Sequence, residues 1–320
     1  MPSTEPSNIP SQRFDQSFFS DIINNVRADA ARIEVDLLKR MLNSLSEKFG
    51  VDVLLYAAPY VSGSPVQESD GRASVNDWDV PALASAMKGM GTRDLFFIVH
   101  SPGGDPNAAA QFMEYLHRKY SGKKITAIVP HKAMSAATMM CMGCDEIIMS
   151  KLASLGPIDP QFNGLPASAI LRELEEARED VDKHPERAAL WAPRVLKLPP
   201  GFYSICRDAM KYTEELVSEW LKKRMFGKEK SRANAGKKAK DLAKWLADCL
   251  KHKQHARPLT IEILRKRGIE IKELESDDNL QNLVMGVFHA FRAVFQFCPC
   301  SKIVLNQSGE GEFYRTERLK

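Results

Sequence analysis

Cysteine is scarce in this chain of 320 residues, with six in all: Cys141, Cys144, Cys206, Cys249, Cys298 and Cys300. Their irregular spacing excludes a small secreted scaffold stapled by disulfides. Cys141-x-x-Cys144 and Cys298-Pro-Cys300 also lack the paired knuckles of a thiolate zinc site. The first pair falls in a run of small residues, where thiols act as buried apolar groups, so no metal is expected. Long hydrophobic runs are missing too. The richest stretch, ITAIVPHKAMSAATMMCMG, is interrupted by Pro130, His131, Lys132 and Ser135, short of the roughly 18 apolar residues of a membrane span. The opening MPSTEPSNIPSQRF has no apolar signal-peptide core, so residues 1–16 read as a disordered lead-in and the protein as cytoplasmic. Hydrophobic residues at 44% and charged residues at 27% are what a soluble globular protein needs to bury a large core.

Charge of one sign is also lacking overall, at +4, but it is unevenly spread. Residues 221–257 hold thirteen Lys/Arg against three Asp/Glu. Such a segment could meet nucleic acid or an acidic partner. Aromatic residues do not alternate with these charges as a base-stacking platform requires. Leu242, Trp245, Leu246 and Leu250 recur at helical spacing instead, which favours a helix with a solvated lysine face.

Residues 17–49 carry Ile22, Ile23, Val26, Ile33, Leu37, Leu38 and Met41 near a period of 3.6, and Gly50 stops the run. The pattern predicts an N-terminal helix that caps the core or meets another subunit. Strands are then predicted at 51–57, 94–100, 124–130 and 146–150, with helices at 78–90, 106–120 and 134–143 between them. Alternating strands and helices predict a parallel α/β core over 50–165. Residues 166–320 read as a mostly helical C-terminal region, with a small α/β piece near its end.

The chemistry-bearing residues collect where these strands end. HSPGGDP (100–106) follows the apolar strand LFFIV, so it lies at the carboxyl end of the sheet, where open α/β sheets bind ligands. Asp105 is a good N-cap and Pro106 a good first helical residue. Gly103 and Gly104 therefore present backbone N–H groups beside a helix start, suited to a phosphate or to the oxyanion of acyl transfer. At the next strand-to-helix junction, AMSAAT places Ser135 where a nucleophilic serine can stand over a helix N-terminus. Alone, that serine is a cap and those glycines are a turn; together they are the pair an acyl-transfer site needs. A third loop, SLGPIDPQF, brings Asp159 to the same edge, 24 residues after Ser135.

SPGG, then AMSAAT, then DEIIM and SLGPIDPQ together resemble the serine dehydrogenase proteinase family, within the Clp protease/crotonase-like superfamily and akin to signal peptide peptidase A. The resemblance is clear over residues 50–165. It implies a βαβ-spiral core, a homo-oligomer, a peptide or protein substrate and no cofactor. It also implies Ser135 as nucleophile and an oxyanion hole formed by Gly103 or Gly104 with Ala136. The base is left open. Asp159 stands near the place of the Clp-type histidine. Lys183, 48 residues after the serine and followed by His184, stands where signal peptide peptidase A-like enzymes have a lysine. His131, Lys132, Lys151 and His255 are further candidates. Two other readings stay open: a crotonase-like enzyme acting on an acyl-CoA with Asp159 working on the acyl chain, and a catalytically silent oligomeric scaffold that binds through 221–257.

Overall fold

Continuous apolar runs build the sheet, and alternate residues along each strand meet helices on opposite faces. The computed structural model describes residues 16–59 and 71–315, so the expected lead-in over 1–16 lies outside it save for Gln16. The chain runs α1 (Gln16–Phe49), β1 (Asp52–Ala57), α2 (Asp79–Ala86), β2 (Leu95–His100), α3 (Pro106–Lys119), β3 (Ile125–Val129), β4 (Lys132–Ala133), α4 (Ala136–Met142), β5 (Glu146–Met149) and β6 (Ser154–Leu155). A short hairpin, β7 (Gln161–Phe162) and β8 (Leu165–Pro166), leads into α5 (Ala167–Lys183), α6 (Ala188–Val195), α7 (Phe202–Lys223), α8 (Arg232–Leu246) and α9 (Cys249–His252). Last come α10 (Ile261–Arg265), β9 (Ile271–Glu273), α11 (Asp278–Phe297), β10 (Cys300–Asn306) and β11 (Gly311–Arg315).

Seven strands form one sheet in the order β11-β10-β1-β2-β3-β5-β9. Strands β1, β2, β3, β5 and β9 are parallel; β10 returns antiparallel to β1 and β11 antiparallel to β10. The register lines up Leu54, Phe97, Ala127 and Ile147 in one row. That row faces a core shared with Leu83 of α2, Phe112 and Leu116 of α3, Met140 of α4, Val217 of α7 and Leu242 of α8. The alternate residues Val53, Leu55, Ile98, Ile128 and Ile148 point the other way, onto α1 and α11. There Leu38, Leu42 and Leu45 of α1 meet Val284, Val287, Phe291 and Val294 of α11, both sets at helical spacing. Truncating Phe112, wholly buried and stacked on Phe97 at 5.7 Å, would cost about 3–5 kcal/mol.

The basic segment resolves as amphipathic helix. Leu242, Trp245 and Leu246 of α8 are buried and its lysines face outward, while Leu250 falls beyond α8 and is exposed. A smaller apolar cluster, Ala167, Ile170 and Cys206 with Phe162, Leu198 and Phe202, ties α5 to α7. Burial pushes the thiols of Cys141 and Cys144 above the ordinary thiol value. Among the described residues, no helix is long and apolar enough to cross a membrane.

Candidate active site

The site is built over the carboxyl ends of β2, β3 and β5. After β3 the chain crosses as β4, held on one side by Ser101, which follows β2: Ser101 N–H donates to Lys132 O (3.0 Å) and Met134 N–H to Ser101 O (3.0 Å). On its other side β4 pairs with β6, Lys132 opposite Ser154 and Ala133 opposite Leu155. Ser135 then opens α4 with φ 51° and ψ −121°. A non-glycine residue there stores about 1–3 kcal/mol of backbone strain, which the surrounding packing must hold. Thr138 helps to hold it, donating its hydroxyl to Ala133 O (2.7 Å) and accepting from Gly156 N–H (2.9 Å).

Two glycines allow this packing. A Cβ on Gly103 would lie 2.4 Å from Met134 O and 2.6 Å from Ser135 Cβ, so the turn after β2 presses directly on the serine. A Cβ on Gly156 would meet Met134 Cε at 2.7 Å. The Gly103 N–H is turned inward, donating to Ser101 Oγ at 3.1 Å. The N–H groups of Gly104 and Ala136 donate to no protein acceptor among the described residues. Both residues line the same open cavity as Ser135, a space of about 620 Å3 also lined by Met139, Ile158, Phe162 and Tyr212.

Asp159 lines that cavity as well and is 2% exposed. Its Oδ1 lies 2.8 Å from His255 Nδ1, and its Oδ2 accepts from Gln161 Nε2 at 2.6 Å. His255 arrives from 96 residues away in sequence because its segment is stitched to β6: Leu155 and Leu259 exchange backbone hydrogen bonds of 3.1 and 2.8 Å. Thus β4 delivers the serine, the loop after β6 delivers the aspartate, and the segment beside β6 delivers the histidine. With Asp159 ionised, Nδ1 carries the imidazole proton, which leaves Nε2 as the basic nitrogen.

The other base candidates stand elsewhere. Lys183, at the end of α5, is not brought into the cavity; its side chain is 71% exposed and pairs with Glu179 at 3.9 Å. His184 turns to Glu186 and Lys151 to Glu273, and Lys132 does not line the cavity. His131, only four residues before the serine, stacks on His100 at 5.7 Å and packs against Phe288 of α11, on the opposite face of the sheet. Burial holds the His100 imidazole down to about 3 and, with Lys132 and Arg292 adding repulsion, lowers His131 too. Nothing local in HARPL marks His255; its signal is the long-range pairing of Leu155 with Leu259.

The model of the ClpP-like SDH-type serine proteinase family matches residues 83–285. The chain belongs to this family. The matched range contains Ser135, Asp159 and His255. Two uncharacterised proteins of Methanocaldococcus jannaschii, MJ1495 and MJ0137, are 36% and 31% identical to it over 174 residues, 54% of this chain. Each match spans about half of the relative's own length, 50% and 52%. Among solved structures, a mutant of a membrane-bound stomatin-specific protease matches 66% of this chain and 79% of its own at 14% identity and a TM-score of 0.37. A second mutant of that protease, in complex with a substrate peptide, matches 65% and 74% at 17% identity and a TM-score of 0.39. At those values the likeness carries no detail of the site.

Proposed function

We propose that this protein is a serine peptidase in which Ser135 is the nucleophile, His255 the general base and Asp159 the residue that orients it. The observation that carries the reading is the 2.8 Å contact of His255 Nδ1 with a buried Asp159 on a cavity shared with Ser135. His255 Nε2 takes the proton as Ser135 Oγ bonds to the substrate carbonyl carbon. The carbonyl oxygen becomes an oxyanion and accepts from the free N–H groups of Gly104 and Ala136, each such donor lowering the barrier by about 3–4 kcal/mol. Collapse of the intermediate breaks the C–N bond, and the leaving amine takes the proton back from His255. Water, activated by the same imidazole, then hydrolyses the acyl-serine. In this arrangement Gly103 serves by having no side chain, which lets its turn approach the serine. Lys183 drops out as base.

The alternative in which Asp159 works on an acyl-CoA chain is disfavoured, because both of its carboxylate oxygens are engaged, by His255 and by Gln161. We assign peptide or protein as the substrate class, a cytoplasmic setting and a homo-oligomeric form as parts of the same proposal. A fluorophosphonate probe tests its core. Wild-type protein should gain one adduct, mapped to Ser135, and Ser135→Ala should gain none. Equal labelling of the two would overturn the assignment.

A further inference from the structure

One charged cluster lies outside the site and outside the matched residues 83–285. Lys302 of β10 and Asp79 of α2 are both wholly buried and paired at 2.6 Å. The Lys302 ammonium also donates to Ser74 O at 2.7 Å and faces the rings of Tyr56 and Tyr314 at 5.7 and 5.3 Å. Asp79 Oδ2 accepts from Tyr56 OH (2.7 Å) and from Asn76 N–H (3.0 Å). A buried ion pair adds little net stability, since both ions lose their hydration; what it adds over apolar packing is direction. Here the directed bonds end on Ser74 O and Asn76 N, the peptide atoms on either side of Val75. Val75 in turn donates to Gly103 O and accepts from Asp105 N–H, each at 2.8 Å. Gly104 lies between those two bonds, so close that a Cβ on it would sit 2.4 Å from Val75 O and 2.5 Å from Val75 N.

We propose that Lys302 is a positioning residue for the oxyanion side of the site: with Asp79 it fixes Val75, and Val75 fixes where the Gly104 N–H points. The proposal rests on the reading of Ser135 and Gly104 given above. The ion pair thus reaches the reacting atoms through one strand-like contact, and no part of it touches substrate.

The test replaces the pair by apolar residues of similar size, Lys302→Met with Asp79→Leu, a swap that buried ion pairs commonly tolerate without unfolding. Two readouts apply. Amide exchange in the peptide over 101–107 should rise about tenfold, while the β2 and β3 interiors keep their protection. The maximal rate of fluorophosphonate labelling at Ser135 should fall about 10- to 100-fold with the half-saturating probe concentration unchanged, because a misplaced donor loses part of the roughly 10²–10³-fold that a whole one supplies. A merely structural role would lower thermal stability and leave the labelling rate of the folded fraction intact. Wild-type exchange at 101–107, or wild-type labelling in the folded double variant, overturns the proposal. Should that variant fail to fold, Asp79→Asn keeps the shape while removing the charge that directs Lys302, and the same two outcomes decide. Failure of the underlying reading looks different: wild-type protein would then not label at Ser135, while exchange at 101–107 still reports whether Lys302 holds the turn.

Discussion

Histidines stand on both faces of the sheet's carboxyl edge, and they are chemically opposite. On the α11 face, His100 and His131 stack on each other and pack against phenylalanines, and the Nδ1 atom of each is buried without a hydrogen-bond partner among the described residues. On the other face, His255 is one-third exposed and bonded to Asp159, a buried carboxylate that lines the cavity. The packing histidine lies four residues from the serine; the paired one lies 120 positions along the chain. Closeness in sequence therefore says little about which imidazole can take a proton. An oriented carboxylate partner that itself lines the cavity says much more.

The largest effects should come from breaking the cavity-side set. Ser135→Ala should lower the rate of peptide-bond or ester hydrolysis by on the order of 10⁶, as for other serine nucleophiles. Asp159→Asn should cost about 10⁴ in kcat, because the amide favours the wrong imidazole tautomer. Next comes Gly103→Ala. Its Cβ would collide with Met134 O and Ser135 Cβ, so labelling of the folded protein should fall about 10²-fold, the size of one lost oxyanion donor.

Smaller effects sharpen the opposite face. His100 has its pKa lowered from 6.5 to about 3 by burial first and by His131 second. Between those values the unfolded chain binds a proton that the folded chain refuses. Stability is therefore whole above pH 6.5 and falls as the pH drops towards 3, by up to about 1.4 kcal/mol per pH unit from this group. Denaturant unfolding of His100→Phe should show a flatter slope over that window than wild type; an unchanged slope would remove His100 as its source. Smallest of all, Lys183→Ala should leave labelling within about twofold and stability within about 0.5 kcal/mol, as fits an exposed lysine.

Much of the core was legible in the residues. The strands of 50–165 are continuous apolar runs, and their boundaries fall within one or two residues of β1, β2, β3 and β5. Asp105 caps α3 as its position suggests, accepting from Asn107 N–H at 2.7 Å. The strand CSKIVLN was not legible, because a lysine in its middle contradicts a buried pattern until Asp79 is seen opposite it. The partnership of Asp159 with His255 was hidden for a similar reason: it depends on a backbone pairing between Leu155 and Leu259 that no local spacing encodes. The direction of the Gly103 N–H is likewise a detail of peptide orientation that no local sequence encodes: it donates to Ser101 Oγ.

The contrast between the two faces is tested most directly by labelling His255→Ala and His131→Ala side by side with a fluorophosphonate, both confirmed as folded. The account expects His255→Ala to lose labelling at Ser135 by at least about 10²-fold, the scale of a general base, while His131→Ala labels at close to the wild-type rate. Loss in His131→Ala with wild-type labelling in His255→Ala would contradict it.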